Sequence, residues 1–220
     1  SHPEKTAPAV PGREDGQAGV GKEAALAEEK VSMDGGVAID GAVTVDGEVL
    51  AETAELWWEK ELAFQSLCFR HRTPVRLVGF SLTIPDASAA EAHNVRLAAG
   101  LVSGMVVAPD AVFSLNKALG PRTGARGFHQ GLTYFGADQI YTVGGGICRL
   151  ATALYNSVVL ADLEVVERWP HSMPVPYVSP GRDATIATYK DLKFRNTTNA
   201  PLLIWAGLRE GRLDLAFYGR

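Results

Sequence analysis

The run ICRLATALYNSVVLADL, residues 147–163, constrains the fold more than any other stretch of this chain. Ile147, Leu150, Ala151, Leu154, Val158 and Ala161 recur at intervals of three and four, the spacing that lines one face of a helix. A helix with such a face needs an apolar surface to bury it. The C-terminal third offers one, because DLKFRNTT, PLLIWAGL and RLDLAFYG read as short strands separated by turns containing Asn, Pro and Gly. VRLVGFSLTI (75–84) reads as a further strand closed by Pro85, and Ser88 to Leu101 as a second helix with a stop near Gly104. Residues 55–69 are loosely helical, while MVVAP and AVFSLNKALG read as strand and turn. The pattern predicts an α+β domain with a largely antiparallel sheet and a long helix carrying a Gly-Gly-Gly-x-Cys motif at its N-terminus.

Ahead of that domain, residues 1–30 are rich in Ala, Gly, Pro, Glu and Lys and contain no aromatic residue, which predicts a flexible tail. Asp-Gly then recurs at Asp34, Asp40 and Asp46. That dipeptide between apolar residues is a hairpin signal, so residues 31–53 read as a linker or a small β meander. A folded domain is expected over residues 54–220.

A net charge of -4 leaves no electrostatic footprint for nucleic acid. No run reaches the ~18 apolar residues of a membrane-crossing helix. Neither a secretory leader nor an anchor is read in this chain, which opens Ser1-His2-Pro3 as a processed product does. Cys68 and Cys148 are too few for a disulfide framework, and Cys-x-x-Cys and helical His pairs are absent. No metal and no cofactor are expected.

The chemistry concentrates at YTVGGGICR, where Gly144, Gly145 and Gly146 precede Cys148 and Arg149. A Walker loop needs Gly-Lys-Ser/Thr and a dinucleotide fingerprint needs glycine where Arg149 stands, so both phosphate readings fail on residue type. Two readings remain open. Cys148 is a nucleophile whose thiolate is favoured by the positive end of the helix dipole, or it is a small buried hydrophobe beside a plain turn. A nucleophile needs a base with an orienting partner. His171 in ERWPHS, with Asp183 in GRDAT as its partner, is the first choice, and His129 in GFHQG is the competitor. Bare glycines would let a carbonyl approach the backbone N–H groups from Gly146 to Cys148. Arg149 or Arg168 could pair with a substrate carboxylate, against the plainer alternative that Arg168 pairs with Glu164 or Glu167 on the helix end.

NVRLAAGLVSGMVVAPDAVFSLNKALGPRTGARGF, GGGICRLATALYNSVVLADLEVVERWPHS, GRDAT and DLKFRNTTNAPLLI stand in one order, and together they resemble the VanW domain family. The resemblance implies a bacterial cell-envelope protein outside the cytoplasm, of a family named after glycopeptide-resistance gene clusters. It also implies an L,D-transpeptidase-like activity, in which a cysteine takes an acyl group from a peptidoglycan stem peptide and passes it to an amine. On that reading Cys148 is the nucleophile, His171 the base and Arg149 a further catalytic residue. Gly144, Gly145, Gly146, Arg168 and Asp183 lie on the substrate side, with peptidoglycan stem peptides as the partner. A non-catalytic envelope module that binds peptidoglycan or a partner protein is the alternative. Arg149 departs from the family, which usually has Gln after the cysteine.

Overall fold

The computed structural model describes residues 47–51, 54–135 and 138–220. In chain order its elements are β1 (Glu48–Val49), a 3-10 turn (Trp57–Lys60), α1 (Leu62–His71), β2 (Val75–Thr83), α2 (Ala89–Val102), β3 (Val106–Val107), β4 (Val112–Ser114) and α3 (Leu115–Leu119). A second 3-10 turn (Gly124–Arg126), β5 (Gln130–Phe135), β6 (Asp138–Val143), α4 (Cys148–Leu160), β7 (Glu164–Glu167), β8 (Lys193–Arg195), β9 (Leu202–Arg209) and β10 (Arg212–Gly219) follow.

β10 explains the architecture. Its residues from Leu213 to Gly219 are all buried, so both of its faces are covered. Successive side chains of a strand point to opposite faces. Leu213, Leu215 and Phe217 pack with Phe80, Ile204 and the apolar residues of α2 and α4, including Val95, Leu150 and Leu154. Ala216 and Tyr218 pack on the other side with Leu56, Trp58, Phe64 and Cys68. The sheet that separates these layers runs β1-β2-β10-β9-β3 and is antiparallel throughout. Tyr218 keeps its hydroxyl satisfied in its layer, accepting from Trp58 Nε1 at 2.9 Å and donating to Glu59 at 2.8 Å. A smaller antiparallel sheet, β4-β8-β7, and the β5–β6 hairpin complete the α+β fold.

Helix α2 starts where its sequence says it should. Ser88 Oγ accepts from the N–H of Glu91, and the Glu91 carboxylate accepts from the N–H of Ser88, a reciprocal capping box. Three readings change. Residues 115–119, read as turn, form α3 behind the N-cap Ser114. The α4 helix ends at Leu160, Asp162 takes a positive φ of 52°, and Glu164–Glu167 become strand β7 rather than helix end. Strand β1 pairs with β2 ahead of the boundary expected at residue 54. The tail at 1–30 and the Asp-Gly pairs at Asp34, Asp40 and Asp46 lie outside the described residues.

Candidate active site

The glycine triplet is bare because its neighbours occupy the space a side chain would need. A Cβ on Gly145 would lie 2.1 Å from the carbonyl carbon and oxygen of Gly131 on β5. On Gly146, at φ 94°, it would lie 2.8 Å from the Cβ of Glu91 on α2. The turn is thus wedged between a strand and a helix, where any residue but glycine collides with the neighbouring chain. Asn94 of α2 locks it: its amide donates to the carbonyls of Gly145 and His129, both at 2.9 Å, and accepts from the N–H of His129 at 2.8 Å. The chain leaves this clamp directly into α4, with Cys148 as its first residue. Arg149 and Leu150 N–H donate to Gly146 and Ile147 carbonyls, so the amides of Ile147 and Cys148 are the ones without an acceptor in the helix.

Three groups converge on the sulfur. His171 hydrogen-bonds the Cys148 thiol. Its Nδ1 meets Asp183 Oδ2 at 2.6 Å, which leaves Nε2 for the sulfur. Thr185 Oγ1 lies 3.2 Å from Sγ and the Ile186 carbonyl 3.9 Å from it. Asp183 is itself held, by the backbone N–H of His171 at 2.6 Å and by Arg168 Nη2 at 3.1 Å. Arg168 also grips the Asp183 carbonyl through Nε and Nη2, at 2.9 and 2.6 Å.

These contacts set the charges. Burial pushes the Cys148 thiol up, but the hydrogen bond and positive charge of His171, aided by Thr185 and Ile186, outweigh it and leave the thiol below its ordinary value. Burial works against the imidazolium too, yet Cys148 and then Asp183 raise His171 above the usual histidine range. Asp183 is held low: burial opposes its charge, and the His171 and Arg168 contacts win. Both shifts run toward thiolate and imidazolium, the direction in which a cysteine becomes nucleophilic.

Not every residue expected at this site is free to meet a substrate. Arg149 is buried, with Nη1 3.1 Å from Glu91 and Nη2 3.2 Å from Asp86, and its guanidinium lies over the Tyr177 ring. Its charge is committed to tying α4 to the start of α2, which corrects its pairing with a substrate carboxylate. Arg168 is corrected in the same way: it holds Asp183 and the Gly181 carbonyl instead of a substrate, and neither Glu164 nor Glu167 is its partner. Those two glutamates pair with Arg195 and Lys193. Asp183 likewise serves His171. His129 is exposed and its ring stacks on His93 at 4.1 Å.

Above Cys148 opens a cleft of about 690 Å³. Leu132, Ile140 and Val143 of the β5–β6 hairpin line one side, Ile186 and Tyr189 another, and the glycine turn the base. Among the described residues, no helix is long and apolar enough to cross a membrane.

Residues 90–218, more than half of the chain, match the family described as "VanW like protein". The chain belongs to the VanW family. It is 36% identical over 134 residues to the "Uncharacterized protein YoaR" of Bacillus subtilis (strain 168), a match covering 60% of this chain and 44% of the relative. It is 26% identical over 160 residues to the "Vancomycin B-type resistance protein VanW" of Enterococcus faecalis (strain ATCC 700802 / V583), covering 69% of this chain and 55% of that one. The chain therefore spans about half the length of these curated relatives. No solved structure matches it.

In this VanW chain the site is assembled by residues that sequence reasoning passed over. Thr152 and Asn156 follow Cys148 at four-residue steps, on one side of α4. Thr152 Oγ1 accepts from Ala184 N–H at 3.0 Å, and Asn156 donates to the Arg182 carbonyl at 2.9 Å. They strap residues 182–186 along the helix, and the strap delivers Thr185 to the sulfur and Asp183 to His171. The available signal was a pair of polar residues, four and eight positions beyond the cysteine, on the same side of the helix. Tyr177 meets the His171 ring edge-on at 6.4 Å.

Proposed function

We propose that this VanW chain is a cysteine acyltransferase of the bacterial cell envelope, L,D-transpeptidase-like, working on peptidoglycan stem peptides outside the cytoplasm. The observation that supports it best is the relay Cys148–His171–Asp183 at the base of an open cleft. Nucleophile, base and orienting carboxylate are what thiol acyl transfer requires. A second support is the name of the Enterococcus faecalis relative, which ties that protein to resistance against a glycopeptide.

In the first step Sγ bonds to the scissile carbonyl carbon while the proton held between Sγ and His171 rests on the imidazole. The N–H groups of Ile147 and Cys148, at the start of α4, would receive the oxyanion. Collapse breaks the C–N bond, and His171 gives its proton to the departing amine. A second amine then attacks the thioester, losing its proton to His171, and the Cys148 thiolate leaves. Asp183 stays ionised throughout and keeps the ring in register.

Incubation with purified stem tetrapeptides, read by mass spectrometry, tests this. A thioester adduct on Cys148 and a cross-linked dimer are expected. Hydrolysed peptide without dimer would make water the acceptor and the protein a peptidase or amidase. Peptide that binds but gives neither adduct nor product would sink the acyltransferase and leave a non-catalytic binding module.

A further inference from the structure

Arg122 stands apart from the other arginines around the cleft. It lines the cleft together with Cys148, and its side chain runs against the glycine turn, since a Cβ on Gly144 would meet Arg122 Cβ at 3.1 Å and Cδ at 3.4 Å. Arg149 and Arg168 are each held by carboxylates of the chain. Arg122 makes no ion pair among the described residues. Its one hydrogen bond there is to a neutral acceptor, from Nη1 to Asn116 Oδ1 at 2.9 Å. A guanidinium carries five N–H donors, so most of this fork is uncommitted.

The surroundings fix the direction of that fork. Asn116 cannot turn away, because its amide donates to the carbonyls of Ala187 and Lys190, both at 2.9 Å. Asp191 is an acid whose charge bears on Arg122, but its carboxylate already accepts from Ser114 Oγ at 2.6 Å and from the N–H groups of Asn116 and Leu192, both at 2.8 Å. The Cys148 sulfur, when ionised, bears on Arg122 more strongly than Asp191 does. Acylation removes that charge. A half-buried guanidinium between apolar walls is then left without an anion, an arrangement that costs more than a solvated one.

We propose that Arg122 reads a carboxylate of the peptide bound at Cys148, so that the cleft selects acyl donors with a free carboxylate close to the scissile carbonyl. A planar guanidinium matches a carboxylate bidentately, which a lysine in its place could not do. The inference rests on the acyl-transfer reading for what is bound, yet not for its first test. The two residues that flank the attacked bond of a stem peptide carry one such carboxylate each, the C-terminal one and that of a diamino-acid side chain. Arg122 serves whichever lies beside the attacked bond.

The first test needs no substrate. The full chain is alkylated with iodoacetate, an anion, and with iodoacetamide, its neutral analogue, and labelling of Cys148 is followed by peptide mass spectrometry. The thiolate fraction cancels in the ratio of the two rates. In Arg122→Gln that ratio should fall by about tenfold or more, the size of one charge-assisted hydrogen bond, and Arg122→Lys should fall between. An unchanged ratio in both variants overturns the proposal, and Arg122→Lys keeps it testable should the glutamine variant fold poorly. The second test uses tetrapeptides amidated at the C-terminus or at the side chain. One of them should lose about tenfold in kcat/KM with the wild type, and Arg122→Gln should erase the difference. The sensitive amide identifies which carboxylate is read. If neither amide matters while acylation proceeds, the inference fails and the acyltransferase stands. If the alkylation ratio falls but no tetrapeptide reacts, the acyltransferase fails and the anion-reading role of Arg122 stands.

Discussion

The two cysteines of this chain sit in layers on opposite faces of one sheet, and burial acts on both thiols in the same direction. Cys68 lies among Trp58, Phe64 and Tyr218, and burial, joined by the negative charge of Glu59, pushes its thiol up. Cys148 is pushed the same way, yet ends below the ordinary value because an imidazole backed by a carboxylate faces its sulfur. Desolvation therefore does not decide which thiol can react. The partner decides, and the partner exists only because the α4 polar residues strap Asp183 and Thr185 beside the helix start.

Removing His171 should erase most of the contrast. His171→Ala is expected to lower acyl-enzyme formation on Cys148 by roughly 10²-fold or more, the worth of a positioned base. Combined with Cys148→Ala it should be no worse than Cys148→Ala alone, since the two act as a unit. His129→Ala should stay near wild type, because that ring is stacked on His93 away from the relay. Loss of acylation in His129→Ala with activity retained in His171→Ala would overturn the assignment of the base.

Asp183→Asn sharpens the comparison by leaving the ring in place without its anion. Acylation should drop about tenfold, and stability by about 1–3 kcal/mol, the range for a buried polar group that loses its charged partner. The sign of the pH effect follows from the depressed Asp183 value. A carboxylate held low contributes stability above its unfolded pKa and loses that contribution as pH falls through its folded value. The stability gap between wild type and Asp183→Asn, measured by denaturant unfolding, should be wide at pH 7 and close on acidification below the carboxylate range. A constant gap would mean that the charge of Asp183 is not what stabilises the site.

A pH series separates the thiols directly. Iodoacetamide should label Cys148 in the folded chain with a midpoint below the ~8.5 of a free thiol, and Cys68 only above it or after unfolding. His171→Ala should move the Cys148 midpoint upward by about one pH unit, the worth of a hydrogen bond to a charged group. A midpoint for Cys148 at or above 8.5 in the wild type would remove the nucleophile.

Much of this arrangement is legible in the amino-acid sequence, and the gaps have physical causes. Helices α2 and α4 and strands β2, β9 and β10 carry clear periods or caps, so their sequences declared them. EVVE at 164–167 fits the end of a helix as well as a strand, and a short apolar run cannot arbitrate between the two. The five residues of α3 are too few to show a period. At the site, the Gly-Gly-Gly-x-Cys turn pointed to Cys148 and the pairing of His171 with Asp183 was anticipated, because those residue types serve one chemistry. Arg149 and Arg168 were misjudged for a different reason. A guanidinium announces that it needs a carboxylate but not whose, and Glu91, Asp86 and Asp183 come near only through folding. Arg122 escaped notice because what distinguishes it, the lack of such a partner, is visible only in three dimensions.

The smallest effect belongs to the other face of the sheet. Cys68→Ala removes one buried sulfur from a layer that also holds Leu56, Trp58, Phe64 and Tyr218. Its loss should cost about 1 kcal/mol, in the range of a one-group truncation in a core. Nothing in that layer touches the relay, and the two layers are separated by the sheet. Effects at sites without shared partners add independently, so the alkylation midpoint and acylation rate of Cys148 should stay at their wild-type values. Denaturant unfolding and the iodoacetamide pH series on the same variant check both halves. A Cys68→Ala protein with normal stability but a displaced Cys148 midpoint would show that the two layers are coupled through β10, and that the site does not end at the strap along α4.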